Sequence, residues 1–170
     1  MKYPATRLER FRPWVIRWMY GVVVGHLAVG MLLPWIADLA MLDAYHRRVE
    51  AGFWPHVAPA AARAQQVWWI SLFGPTVQSL AIWMGALTHL GDRQRSSFVW
   101  MWLIAGIVIW APQDMFISAR AGAWIHVWID SFALVTMLPP LVWLWCYDRK
   151  PPARAQTKTV VVEPAVSAEQ

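Results

Sequence analysis

The stretch SFVWMWLIAGIVIWAPQDMFIS, residues 97–118, decides the fold of this chain. A second apolar stretch, AGAWIHVWIDSFALVTMLPPLVWLWC, follows almost at once as residues 121–146. A helix needs about 20 apolar residues to cross the ~30 Å hydrocarbon core of a bilayer. Each stretch is long enough, and the connection between them is short. The sequence therefore predicts a transmembrane helical hairpin.

Two further windows have the same apolar character. The 170 residues are 58% hydrophobic and only 15% charged, whereas charged residues make up about 25% of an ordinary soluble domain. We therefore expect an all-α fold, an integral membrane bundle of four antiparallel transmembrane helices within residues 14–147. The predicted parts are a basic N-terminal segment 1–13, spans 14–37, 66–90, 97–118 and 121–146, an outer loop 38–65, and a disordered tail 148–170.

The basic residues predict an orientation in the membrane. Eleven of the fifteen lysines and arginines flank the N-terminus, the connection between spans two and three, and the tail. The other side has four, namely Arg47, Arg48, Arg63 and Arg120. Cytoplasmic segments carry the excess of basic residues, so we expect both termini in the cytoplasm of a bacterial-type inner (plasma) membrane. The net charge of +5 therefore does not indicate binding to nucleic acid.

Fourteen tryptophans are typical of a membrane protein with aromatic belts at its two interfaces. Three of them, Trp83, Trp110 and Trp128, lie deeper in the spans, as packing residues or as the wall of a pocket. The sequence assigns ten others to the belts: Trp14, Trp18, Trp35, Trp68, Trp69, Trp100, Trp102, Trp124, Trp143 and Trp145.

Small residues predict which helix faces pack closely, because in lipid they let two backbones approach. Span one contains Gly21 and Gly25, four residues apart. Span two carries a longer stripe on one face, formed by Ser71, Gly74, Gln78, Ala81, Gly85 and Thr88. In the outer loop, apolar residues within 38–51 are spaced as in an amphipathic helix. His46 and His56 of that loop are expected in solvent, and His89 at an interface.

The candidate functional residues are polar side chains at membrane depth. Asp114 ends span three, and His126 and Asp130 share one face of span four because they are four residues apart. At a rise of about 1.5 Å per residue, His26 and Gln78 lie near the depth of Asp130. Ionisable groups inside a membrane are costly and usually functional. These five residues could form a polar trail from the outer face to the membrane centre.

Several interpretations of this trail stay open. It could be the coupling site of a proton- or cation-linked transporter, or a metal or redox site with His126, Asp130 and Asp114 as ligands. It could also be a quinone or lipid pocket. In the plainest alternative, the polar side chains only hydrogen-bond helices to one another. The sequence assigns no cofactor.

Some functions are argued against by the residues present. A single cysteine, Cys146, excludes an internal disulfide and a thiolate-only metal site. No two histidines suit a bis-histidine haem, and no phosphate loop, zinc-protease motif or nucleophile elbow occurs. We therefore expect an accessory or assembly subunit or a homo-oligomer without chemistry of its own, in contact with lipid and with a partner membrane protein or a second copy.

Overall fold

The computed structural model describes residues 7–149, and this part of the chain is all-helical. The helices are α1 (Arg7–Ile36), α2 (Asp43–Phe53), α3 (Ala60–Gln94), α4 (Ser97–Arg120) and α5 (Trp124–Asp148), with a 3₁₀ turn at Ala40–Leu42. Helices α1, α3, α4 and α5 are long and apolar enough to span a membrane. The predicted four-span membrane bundle is thereby confirmed. Most of the predicted tail, and the first six residues of the N-terminal segment, lie outside the described residues.

The helices extend beyond the apolar windows, most of all at the starts of α1 and α3. Helix α1 begins at Arg7 and α3 at Ala60, whereas the windows begin at residues 14 and 66. With 35 residues, α3 is about 52 Å long, so its ends project beyond the ~30 Å core. These ends carry polar residues whose partners are distant in sequence. Hydropathy therefore underestimates the length of both helices.

The bundle consists of two helix pairs. Helix α1 packs chiefly on α3, and α4 chiefly on α5, while the α3–α4 and α1–α5 contacts are fewer. We call the end where α1 begins and α5 ends the terminal end, and the opposite end, which carries α2, the loop end. The apolar core lies toward the terminal end and includes Val15, Ile16, Met19, Met84, Trp100, Leu103, Ile107, Met137, Leu141 and Leu144.

Glycines set the distance between α1 and α3. A Cβ atom on Gly74 would lie 2.6 Å from Pro34 Cδ and 2.7 Å from the carbonyl oxygen of Gly30. The predicted stripe on span two does face the bundle, since none of its six residues is exposed. By contrast, Gly21 and Gly25 face open space. Their predicted packing role is wrong within this chain, because the spacing shows a shared face and not which face meets a neighbour.

Tight turns make the long helices antiparallel. Between α3 and α4, Arg95 adopts the left-handed conformation (φ 48°) and its N–H bonds to the carbonyl of Gly91. Between α4 and α5, Gly122 has φ 69°, a value that glycine adopts without steric cost. This second turn brings the end of α4 back beside the start of α5.

Candidate functional site: polar clusters at the two ends of the bundle

Four residues form a buried ion cluster at the terminal end. Arg12 donates from Nε and Nη2 to the two carboxylate oxygens of Asp148, at 3.1 and 3.0 Å. Its Nη1 donates to Asp92 Oδ1 at 2.6 Å. Trp100 Nε1 donates to Asp148 Oδ2 at 2.8 Å. This set, the terminal cluster, joins α1, α3, α4 and α5.

The terminal cluster is satisfied internally. The side chains of Arg12 and Asp148 are only 6% and 1% exposed. Charges taken out of water are costly unless they are paired and hydrogen-bonded, and here both oxygens of Asp148 accept bonds. The cluster therefore fixes the four helix ends to one another, and its buried side chains, those of Arg12, Trp100 and Asp148, bond within the set.

Trp100 corrects the predicted tryptophan belt. It is fully buried instead of lying at the lipid interface, because its N–H bonds to Asp148 and its ring packs on Gly91. A Cβ atom on Gly91 would lie 2.7 Å from two carbons of that ring. Trp143 and Trp145 are half-buried. The other belt residues are exposed: Trp14, Trp18, Trp35, Trp68, Trp69, Trp102 and Trp124.

His46 of α2 corrects a second expectation, because it is buried and not solvated. Its Nε2 lies 2.8 Å from the carbonyl oxygen of Ala37, and its Nδ1 lies 3.0 Å from Gln66 Oε1. Gln66 Nε2 in turn donates to Glu50 Oε1 at 3.4 Å, which turns the amide oxygen toward the ring. Both ring nitrogens of His46 therefore have a polar partner, one on α3 and one just past the end of α1.

Arg63 attaches α2 to α3. It donates to the two carboxylate oxygens of Glu50, at 2.7 and 3.2 Å, and to Asp43 Oδ1 at 2.9 Å. The hydrogen bonds from Arg63 hold the pKa of Glu50 below its ordinary value, outweighing burial, which acts in the opposite direction. The start of α3 therefore serves as a polar anchor for α2.

Helix α2 also contacts the other helix pair. The Tyr45 hydroxyl lies 2.9 Å from His126 Nε2 on α5. Burial raises the pKa of Tyr45, so the phenol keeps its proton and can donate it to the ring nitrogen. A Cβ atom on Gly52 would lie 2.7 Å from the carbonyl oxygen of Ala121, so α2 lies directly against the α4–α5 turn. Helix α2 thus bridges the two pairs at the loop end.

Three of the five predicted polar residues come together in the α4–α5 hairpin. Asp130 is 3% exposed, and its Oδ2 is buried without a hydrogen-bond partner among residues 7–149. Asp114 and His126 lie within electrostatic range of it. Asp114 Oδ1 accepts a long bond from Ser118 Oγ, at 3.4 Å. We call Asp114, His126 and Asp130 the hairpin site.

His26 and Gln78 belong to the other helix pair. His26 Nδ1 lies 2.8 Å from the carbonyl oxygen of Val22 in its own helix, and Gln78 Nε2 donates to the carbonyl of Gly30 at 3.0 Å. Within the described residues, no hydrogen bond joins either side chain to the hairpin site. The predicted trail is therefore divided between the two pairs, and Gln78 holds α3 to α1.

The three deep tryptophans differ in position. Trp128 and Trp83 are 74% and 69% exposed, so they face away from the bundle and do not line its interior. Trp110 borders an open groove of about 420 Å³ at the seam between the pairs. Phe73 of α3 lines one side of this seam groove, and Trp110, Gln113, Asp114 and Ile117 of α4 line the other. The hairpin site thus borders the groove through Asp114.

The geometry gives no support for a metal centre. Among residues 7–149, no three His, Cys, Asp or Glu side chains are placed to hold a metal ion. Comparisons with protein-family models, with curated proteins and with solved structures find no match to this chain.

Sequence reasoning missed the terminal cluster and the anchor of α2. Arg12, Asp92 and Asp148 stand at helix ends, where charged residues ordinarily flank a span. A signal for pairing did exist, since Asp92 and Asp148 are acidic residues within otherwise basic flanks. The lone Tyr45–His46 pair in an amphipathic loop helix was the corresponding signal at the loop end.

Proposed function

We propose that this small multi-pass membrane protein is an accessory subunit that binds a membrane-spanning helix of a partner protein. The observation that carries the proposal is the seam groove. It lies between α3 and α4, where the two helix pairs meet through far fewer contacts than each pair makes internally, and it is open to its surroundings. A partner helix bound in the groove would add contacts to α3 and α4, where the two helix pairs make few contacts of their own.

The interior of the bundle supports an accessory role. Large side chains fill it, with Trp100, Met19, Leu141 and Leu144 fully buried. Both of the best-formed concavities in the described part of the chain are shallow and open. A substrate pocket normally encloses most of its ligand. We therefore infer that the protein contacts other molecules through its outer surface.

The chemistry of the seam groove favours a partner with a polar or basic residue in its span. The walls from Phe73, Trp110 and Ile117 are apolar, as lipid-facing helices require. Asp114 forms no ion pair with any residue of 7–149, and intramembrane acidic groups usually find a partner of opposite charge. A Lys or Arg of the partner helix would supply that charge.

Site-specific photocrosslinking tests this proposal in the membrane where the chain is normally made. A photoreactive residue replaces Phe73 or Ile117 in the groove, and Val135, which is 72% exposed on α5, serves as the control position. We expect an adduct of one defined mass from both groove positions, none from the control, and loss of the adduct with Asp114→Leu. An adduct of twice the chain's own mass would identify a second copy instead. Equal labelling at all three positions would contradict a specific groove.

We also propose that both termini lie in the cytoplasm of a bacterial-type inner membrane. The support is the distribution of basic residues along the sequence, with eleven assigned to the N-terminus, the connection between spans two and three, and the tail, and four to the other side. Cysteine accessibility in intact cells tests the orientation, using a new cysteine at exposed His56 in a Cys146→Ser background. We expect a membrane-impermeant thiol reagent added outside to label position 56. Labelling only after the cells are broken open would reverse the orientation.

A further inference from the structure

The hairpin site contains a carboxyl group that the rest of the fold does not explain. Every hydrogen-bonded acid of the terminal cluster and of α2 receives bonds from an arginine. Asp130 does not, and its Oδ2 is buried with no donor among the described residues. An ionised carboxylate without a partner is among the most costly groups to bury. In addition, a second carboxyl, that of Asp114, acts on it electrostatically.

We propose that the hairpin site binds one proton at Asp130, so that this enclosed carboxyl group carries no charge. This inference goes beyond the proposed accessory role and does not depend on a partner. The proton comes from water at the loop end. As an O–H bond forms at Asp130, one positive charge enters the site and the carboxylate becomes neutral. Two carboxyl groups that share a site cannot both ionise easily.

The burial of Asp130 favours a proton over a larger cation. The side chain is enclosed, with 3% of its surface exposed, so an ammonium or guanidinium group of another protein has no room beside Oδ2. A metal ion would need further ligands, and the described residues offer no such group. A proton needs only the oxygen itself. Asp114, which is half-buried at the seam groove, remains the group within reach of a partner's cation.

The polar neighbours of Asp130 lie on its loop-end side. Asp114 of α4 and His126 of α5 face the site, and His126 is bonded in turn to Tyr45 of α2. Arg120, the nearest basic residue along α4, lies over the ring of Phe116. Beyond Asp130 toward the terminal end, α5 continues with the buried apolar residues Met137, Leu141 and Leu144. The route that we propose for the proton therefore runs between Asp130 and the loop end.

Infrared spectroscopy of the purified full chain in lipid vesicles tests the proton directly. At neutral pH we expect the carbonyl-stretching band of a protonated carboxylic acid. The band should move when aspartate is labelled with ¹³C at its carboxyl carbon. It should disappear in Asp130→Asn and persist in Asp38→Asn, a variant of an exposed aspartate. Absence of the band from the unsubstituted protein, or its persistence in Asp130→Asn, would overturn the proposal.

Thermal unfolding supplies a second measurement. An asparagine has the shape and the neutral charge of a protonated aspartate, so we expect the Tm of Asp130→Asn to stay within about 2 °C of that of the unsubstituted chain. A fall of roughly 10 °C would mean that the folded protein needs the negative charge. That result would overturn the proposal in favour of a cation paired with Asp130. If the variant does not fold, absence of the labelled band from the unsubstituted protein would still overturn the proposal.

Discussion

Replacing Asp148 by asparagine should destabilise the whole bundle. The substitution keeps the size of the side chain but removes the charge that Arg12 meets with two hydrogen bonds. Breaking a buried ion pair on one side costs about 3–5 kcal/mol. Arg12 keeps its bond to Asp92, whose side chain is 37% exposed, so water can share the remaining charge. We therefore expect a loss of about 2–3 kcal/mol.

The assay is thermal unfolding in a mild detergent, followed by circular dichroism of the helices. In chains of this size each kcal/mol moves Tm by about 2–4 °C, so the expected fall is roughly 4–12 °C. Asp38→Asn is the matched control, because Asp38 is exposed and forms no ion pair with residues 7–149. Trp100→Phe should also lower Tm, since it removes the indole donor to the same carboxylate.

Trp100 and Asp148 should be coupled in their effects on stability. Because Trp100 and Arg12 bond to the same carboxylate, the effects of Trp100→Phe and Asp148→Asn should not be additive. The double variant should lose less stability than the two single losses combined, by about 0.5 kcal/mol or more. A Tm for Asp148→Asn equal to that of the Asp38 control, or strict additivity, would refute a buried cluster that joins the four helices.

Three more outcomes are expected. Gly74→Ala should lower the free energy of unfolding by about 1–3 kcal/mol, because the new Cβ would lie 2.6 Å from a side chain of α1. Gly21→Ala should leave the Tm unchanged. Equal effects of the two substitutions would contradict the α1–α3 crossing. Tyr45→Phe should weaken the α2 contact by about 0.5–1.5 kcal/mol, seen as faster amide hydrogen exchange in α2, and unchanged exchange would mean that the bond to His126 contributes nothing. The pKa of Glu50 is lowered in the folded chain. The ionised Glu50 therefore stabilises the fold fully above the ordinary pKa of 4.5, and this stabilisation is lost as the pH falls below that value. Limited proteolysis should therefore cut the loop faster in acid, and Glu50→Gln should remove that pH dependence; an acid response that persists in Glu50→Gln would assign it to another group.

The four spans follow from the sequence because the bilayer constrains them strongly. Any backbone in lipid must satisfy its own hydrogen bonds, so length and apolar character alone predict helices. The stripe through Gly74 and Gln78 also predicts its buried face, since residues three and four apart must share one side of a helix. The spacing of His126 and Asp130 places them together for the same reason.

The packing partners do not follow from such local rules. Gly21 and Gly25 are four residues apart, a spacing typical of helix contacts in membranes, yet α1 meets α3 at Gly30 instead. Tryptophan is typical of the lipid interface, yet Trp100 is enclosed by other helices and bonds to Asp148, which is distant in sequence. In the sequence, His46 belongs to a polar connection between two spans. It is buried because Gln66 of α3 and the end of α1 pack against it.

The sequence by itself therefore determined that this chain crosses a membrane four times, and that acidic and histidine side chains lie inside its last hairpin. The tertiary structure decided which of these polar groups have partners. Asp92 and Asp148 lie 80 and 136 residues from Arg12 along the chain and form one cluster with it. Oδ2 of Asp130, by contrast, has no donor among residues 7–149. Hydropathy and helical periodicity describe one segment at a time, and the cost of a buried charge depends on what the other segments bring to it.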